Sequence, residues 1–177
     1  MSDHAEVLVC RSDSPYRAAA RAIAHLVERQ IIEPMPTDCV LAALGHRPGP
    51  RANDVVEEPL VADLAVNGLE VRLPHGVELF APAQGEPPWV SCPRCKHALE
   101  GEMLFEHLMP HDPFKPAPMV ACPSCKDERA IEEWTAHGSA FGNLAFFFWN
   151  WSPLKESFIA EMKEYCGAPM ALLHEHI

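Results

Sequence analysis

Leu144-Ala145-Phe146-Phe147-Phe148-Trp149-Asn150-Trp151-Ser152-Pro153 decides how this chain is read. Residues 144–149 form one of its two longest unbroken apolar runs, and the one rich in the aromatic side chains that pleated strands favour. Six residues fall far short of the ~20 that a membrane-spanning helix needs, so the run predicts a buried strand. Downstream, Leu154, Phe158, Met162 and Tyr165 recur at helical spacing. Gly167 is placed to close that helix, and residues 170–176 read as a final strand. The same grammar opens the chain. Residues 6–10 read as a strand and Arg11 to Ser14 as a turn. Ser14-Pro15 reads as an N-cap with proline at the first helical position, where its missing N–H costs nothing. Ala19, Ile23, Val27 and Ile31 then mark a helix running to about Ile32, stopped by Glu33-Pro34-Met35-Pro36.

Strand, Ser-Pro, helix thus occurs near both ends, and each amphipathic helix needs a sheet to cover. The expected fold is α+β, a ferredoxin-like βαββαβ sheet whose two halves meet despite their separation. The missing strands are sought between them. Residues 62–66 and 69–73, joined by Asn67-Gly68, carry a hairpin signature, because Asn-Gly suits a type I′ turn. Residues 77–80 read as another short strand. Residues 38–44 fit either a strand or a helical turn, and residues 48–58 read as surface loop.

Seven cysteines are present, and four stand in two copies of one text, Cys92-Pro93-Arg94-Cys95-Lys96 and Cys122-Pro123-Ser124-Cys125-Lys126. Residues 96–121, 26 in all, separate the pairs. Each Cys-x-x-Cys puts two sulfurs on one tight turn, and two facing turns supply four thiolates for a tetrahedral ion. Proline after the first cysteine fixes φ, and the lysine after the second offsets part of the charge left by four thiolates on a divalent ion. The doubled knuckle resembles those of zinc ribbons and, more distantly, of rubredoxins, over residues 89–133. Lys96 and Lys126 stand where glycine is usual. The resemblance implies one zinc per chain on Cys92, Cys95, Cys122 and Cys125, with iron the less favoured ion. Four protein ligands leave no position for an activated water, so the site is expected to hold a lobe together rather than to catalyse. The expected organisation is residues 1–80 as one half of the α+β domain, 81–138 as an inserted ribbon lobe, and 139–177 as the closing half. After the second knuckle, residues 127–136 read as a short helix with Ile131 and Trp134 on its buried side.

Composition excludes several classes of function. With 14 Lys and Arg against 25 Asp and Glu the formal charge is −11, opposed to phosphate-backbone binding. Residues 89–133 repeat the bias, with five basic against eight acidic side chains. No basic start precedes an apolar core at the N-terminus, so a cytoplasmic location is expected. No phosphate loop, His-Glu-x-x-His or Gly-x-Ser-x-Gly motif occurs, and no catalytic constellation emerges.

Weaker candidates remain. His174 and His176 share one face of the last strand but lack a third ligand. His107 and His111 face together only on a helix, which Pro110 opposes. Cys10, Cys39 and Cys166 read as inert buried thiols, and His137 has no evident acid or nucleophile beside it. Taken as one strand, residues 141–151 place Phe147, Trp149 and Trp151 on one face and Leu144, Phe146 and Phe148 on the other. Left open, the first face would stack bases as RNA-recognition motifs do. Coverage of both faces is the better expectation, because soluble proteins avoid such exposed ladders. The leading expectation is a zinc-binding protein without catalytic activity that acts through protein contacts. RNA or single-stranded nucleic-acid binding through residues 141–151, or rubredoxin-like electron transfer, are the alternatives.

Overall fold

The computed structural model describes residues 3–41, 44–61, 64–84, 86–108 and 117–177. In chain order the elements begin with β1 (His4–Cys10), α1 (Pro15–Glu28), β2 (Ile32–Thr37), β3 (Gly45–Pro48), β4 (Gly68–Arg72) and β5 (Glu78–Phe80). The middle of the chain gives β6 (Trp89–Ser91), β7 (Ala98–Glu100), α2 (Gly101–Leu108), β8 (Met119–Ala121) and β9 (Glu128–Ala130). It closes with β10 (Thr135–His137), β11 (Ala140–Gly142), β12 (Leu144–Trp149), α3 (Glu156–Cys166) and β13 (Met170–His176). The molecule is mixed α+β, and its largest sheet is antiparallel with strand order β13-β1-β12-β4-β3-β2.

β1 and β12 form the heart of this sheet, with Leu8 opposite Phe146 and Val7 opposite Phe147. Period-two alternation divides their side chains between two cores. Leu8, Cys10, Leu144, Phe146 and Phe148 meet the helices, against Ala22 and Leu26 of α1 and Phe158 and Met162 of α3. Ala5, Val7, Val9, Ala145, Phe147 and Trp149 face the other way, where Cys39, Val40 and Ala140 pack on them. The two ends of the chain therefore lie in one sheet, as their repeated grammar predicts. Phe147 and Trp149 are 3% and 1% exposed, so the sheet presents no open aromatic platform there.

Trp151 departs from the expected alternation. Asn150 takes a positive φ of 56°, which breaks the strand and swings Trp151 to the helix side, edge-on to Phe148 at 5.1 Å. Asn150 is held there by its own side chain, which donates to Asp3 Oδ1 at 2.7 Å and to the Val66 carbonyl at 2.8 Å, and accepts from the His4 N–H. Asn143 makes a second break, between β11 and β12, by exchanging bonds with the backbone of Ser12.

Other local expectations give way to tertiary contacts. α1 ends at Glu28, a turn early, because Gln30 adopts φ 60°. Ile31 and Ile32 still enter the core, but from the turn and from β2. Pro34 and Pro36, expected as mere stops, lie in β2 at the edge of the sheet, where a missing N–H leaves no ladder bond unmade. α3 begins at Glu156, so Leu154, expected on its apolar stripe, lies ahead of it and bridges to Val56 instead. Residues 48–58 are not a surface loop: a short 3₁₀ turn (Ala52–Val55) buries Ala52, Val55 and Val56. Residues 38–41 and 44 are neither strand nor helix, although Cys39 and Val40 are buried.

The Asn67-Gly68 hairpin does not form. Ala62 and Asp63 lie outside the described residues, and Leu64 to Val66 are not strand. β4 pairs with β3 and β12 instead. Gly68 serves close approach: a Cβ there would stand 2.5 Å from Cys39 Sγ and 2.8 Å from the His46 carbonyl oxygen. Residues 77–80 do supply a strand, β5, but it pairs with β11 outside the main sheet.

Residues 89–137 build a separate group of elements, with β6 between β10 and β7, and β8 paired to β9. Val90, Leu99, Leu104, Val120, Ile131 and Trp134 form a small core there, on which Leu79 of β5 and Phe141 of β11 also pack. The helix expected over residues 127–136 is replaced by β9, a 3₁₀ turn (Ile131–Glu133) and β10, because both flanks are claimed by partner strands. Ile131 and Trp134 are buried as expected. α2, which the sequence reading missed, carries Leu104 into the same core.

Candidate metal centre

Cys92 follows β6 and Cys95 precedes β7; Cys122 follows β8 and Cys125 precedes β9. Each pair thus sits on the turn of an antiparallel hairpin, and the two turns share one bond pattern. The Cys92 N–H donates to the His97 carbonyl and the Lys96 N–H to the Cys92 carbonyl, both at 2.9 Å. The Cys122 N–H donates to Asp127 and the Lys126 N–H to Cys122, at 2.8 and 2.9 Å. Lys96 and Lys126 take φ of 64° and 61°, the left-handed conformation that the usual glycine would adopt. The Lys126 ammonium donates to the Pro123 carbonyl at 2.8 Å and closes its own turn.

The hairpins bring all four sulfurs within 4.8 Å of one another. Cys92 Sγ lies 3.8 Å from Cys125 Sγ, and Cys95 Sγ lies 3.5 Å from Cys122 Sγ. A tetrahedron with metal–sulfur bonds of about 2.3 Å has edges of roughly 3.8 Å, so the donor set fits such an ion. Among the described residues this is the one group of three or more ligating side chains drawn so close together. Cys92 and Cys122 are buried, Cys125 half-buried and Cys95 exposed, so the site lies at the tip of the lobe with one flank toward solvent.

The electrostatics favour a cation. The backbone N–H of His97 holds the Cys95 thiol below its ordinary value. At Cys125 the N–H of Asp127 also favours the thiolate, but desolvation and the three neighbouring sulfurs outweigh it and push that thiol up to about 12. Four thiolates do not share this space without a positive charge among them, and a bound ion displaces the protons. The donors can hold a metal ion and leave no protein-free position on it. The chain gives no match to protein-family models, curated proteins or solved structures.

The remaining sequence candidates are dispersed. Cys10 and Cys166 meet in the helix-side core, where the hydrogen bond with Cys10 and burial push the Cys166 thiol up; Cys39 is buried beneath Gly68. His107 lies on α2, and His111 lies outside the described residues. His137 does have a partner: its Nε2 lies 2.9 Å from Ser91 Oγ, and its ring stacks on Trp89 at 3.7 Å. Ser91 is 4% exposed, so this pair ties β10 to β6 and offers no accessible nucleophile. His174 Nδ1 pairs with Glu6 Oε1 at 2.7 Å.

Sequence reasoning missed a buried polar chain on the face opposite the helices. Trp149 Nε1–H donates to Glu70 Oε2 at 2.7 Å, and Arg72 Nε–H donates to Glu70 Oε1 at 2.5 Å. The guanidinium lies 3.8 Å over the Phe147 ring. Of these, Arg72 and Phe147 border a cavity of about 490 Å³, together with Val7 and Leu173. Glu70 and Arg72 stand two apart on a strand, which was the available signal, but their partners are more than 70 residues away.

Proposed function

We propose that the chain is a zinc-binding protein without catalytic activity, in which a structural Cys₄ zinc ribbon is mounted on an α+β domain and engages another protein. The observation that carries this reading is the clustering of Cys92, Cys95, Cys122 and Cys125. Zinc is the preferred ion because a closed four-thiolate site suits a structural role, with iron second. The order β13-β1-β12-β4, with α1 and α3 between its strands, supports reading residues 1–80 and 139–177 as a ferredoxin-like βαββαβ domain. β2 and β3 then extend its edge, and residues 81–138 are the insertion. In this reading the metal substitutes for the large core that so small a lobe lacks, and the protein works in the cytoplasm.

A protein partner is favoured by what the lobe exposes. Met103, Phe105 and Met119 are 50%, 47% and 58% exposed, and Phe105 borders a second cavity of about 460 Å³ with Leu79, Ile131 and Phe141. The net charge of −11 and the burial of Phe147 and Trp149 both weigh against nucleic acid. Affinity capture with the native protein and with Phe105→Glu, both metal-loaded, tests the proposal. The expected result is a protein retained by the native chain and lost with Phe105→Glu. Recovery of salt-sensitive nucleic acid by both overturns it.

A further inference from the structure

We infer that His4, His174 and His176 form a second metal site, open to solvent at the outer edge of the main sheet, for a divalent transition ion of the zinc class. Period-two alternation puts His4 and Glu6 on one face of β1, and His174 and His176 on one face of β13. The antiparallel register pairs His4 with His176 and Glu6 with His174. Opposed residues on such strands project to the same side, so three imidazoles and a carboxylate form one block. His174 and His176 are separated by a single residue, and His4 is the third ligand that the sequence left unassigned.

Two of the three rings already have the outer partners that metal-bound histidines use. His4 Nε2 lies 3.2 Å from the Trp151 carbonyl. A carbonyl only accepts, so in the neutral ring Nε2 carries the hydrogen and Nδ1 keeps its lone pair. His174 Nδ1 lies 2.7 Å from Glu6 Oε1, which leaves the lone pair of Nε2 free in the same way. The His4 and His176 ring centres lie 6.1 Å apart, so the two share an ion only when the exposed His176 side chain turns toward His4, whose own ring keeps its bond to Trp151.

Glu6 supplies an independent observation that points to a cation. It is 6% exposed, and its Oε2 is buried with no hydrogen-bond partner. A buried carboxylate with one satisfied oxygen is costly, and an ion held by the adjacent imidazoles offsets that cost. Imidazole donors suit zinc, nickel and copper, and three protein ligands leave a fourth position for water or a small anion. This site is chemically distinct from the closed four-sulfur centre. Glu6 is a positioning residue here, acting through His174.

Cobalt(II) titration of the full chain, with the ribbon already filled by zinc, tests the inference by calorimetry and visible absorption. One further equivalent is expected, with the weak bands of nitrogen and oxygen ligation and no thiolate charge-transfer band. His176→Ala, at the exposed end of β13, should abolish it while circular dichroism stays native. Glu6→Gln should weaken binding 10- to 100-fold. A chain that takes up no further cobalt, or a His176→Ala variant that binds it as tightly, overturns the inference.

Discussion

Lys96 and Lys126 show what one residue contributes to the metal turns. A non-glycine residue in the left-handed region costs about 1–2 kcal/mol, and glycine gives back roughly 0.5–1 through the freer unfolded chain. Lys96→Gly is therefore expected to stabilise the loaded lobe by up to about 1 kcal/mol, seen as slower amide exchange in β6 and β7. A clear loss would show that the ammonium charge beside the thiolates outweighs the backbone term. On the main domain, Glu161 of α3 receives hydrogen bonds from His25 and Arg29 of α1. Burial pushes its carboxyl up, but those bonds and the positive charge of Arg29 outweigh it and hold it below its ordinary value of 4.5. The pair's contribution is thus full above pH 4.5 and fades as pH falls through the lower folded value. Glu161→Gln is expected to cost about 1 kcal/mol at neutral pH and nothing once the native carboxyl is protonated, as pH-dependent urea unfolding would show. At this scale the cysteines were legible because their chemistry is local, two residues per turn. Ser91–His137 and Trp149–Glu70 were not, because strand pairing alone joins them.

Among elements, β12 was the most legible, since six apolar residues in a row leave little choice but burial on both faces. Phe148 is fully buried between Trp151 and Phe158, and Phe148→Ala should cost about 3–5 kcal/mol in equilibrium unfolding. The terminal strand–helix units were legible for the same reason, because each stripe of apolar residues is a statement about its own element. Asn67-Gly68 misled because a glycine needed for close approach reads the same as a glycine needed for a turn. Gly68→Ala should destabilise the main sheet by about 1–3 kcal/mol through the contacts of its Cβ with Cys39 and His46. A variant as stable as the native protein would mean that β4 does not pass so close to them. Residues 127–136 misled for a related reason: Ile131 and Trp134 are three apart as on a helix, yet β8 and β6 claim the residues on either side.

At the scale of the whole molecule, two sources of stability are separable. The main sheet rests on apolar cores on its two faces, and neither includes a ligand cysteine. The lobe rests on a handful of buried side chains and on whatever the four sulfurs hold, which for structural zinc is of the order of 10 kcal/mol. Removing the ion should therefore melt residues 89–137 and leave the pairing of β13, β1, β12 and β4 intact. The most direct test is elemental analysis of the chain with and without Cys95→Ser, both carrying His176→Ala so that only the sulfur site is counted, each followed by limited proteolysis. The account predicts one zinc per chain on these four sulfurs where Cys95 is kept, its loss in the Cys95→Ser variant, and cleavage confined to the lobe. Stoichiometric zinc retained at those sulfurs by Cys95→Ser would contradict the ligand set, and digestion of the whole variant would contradict the independence of the sheet.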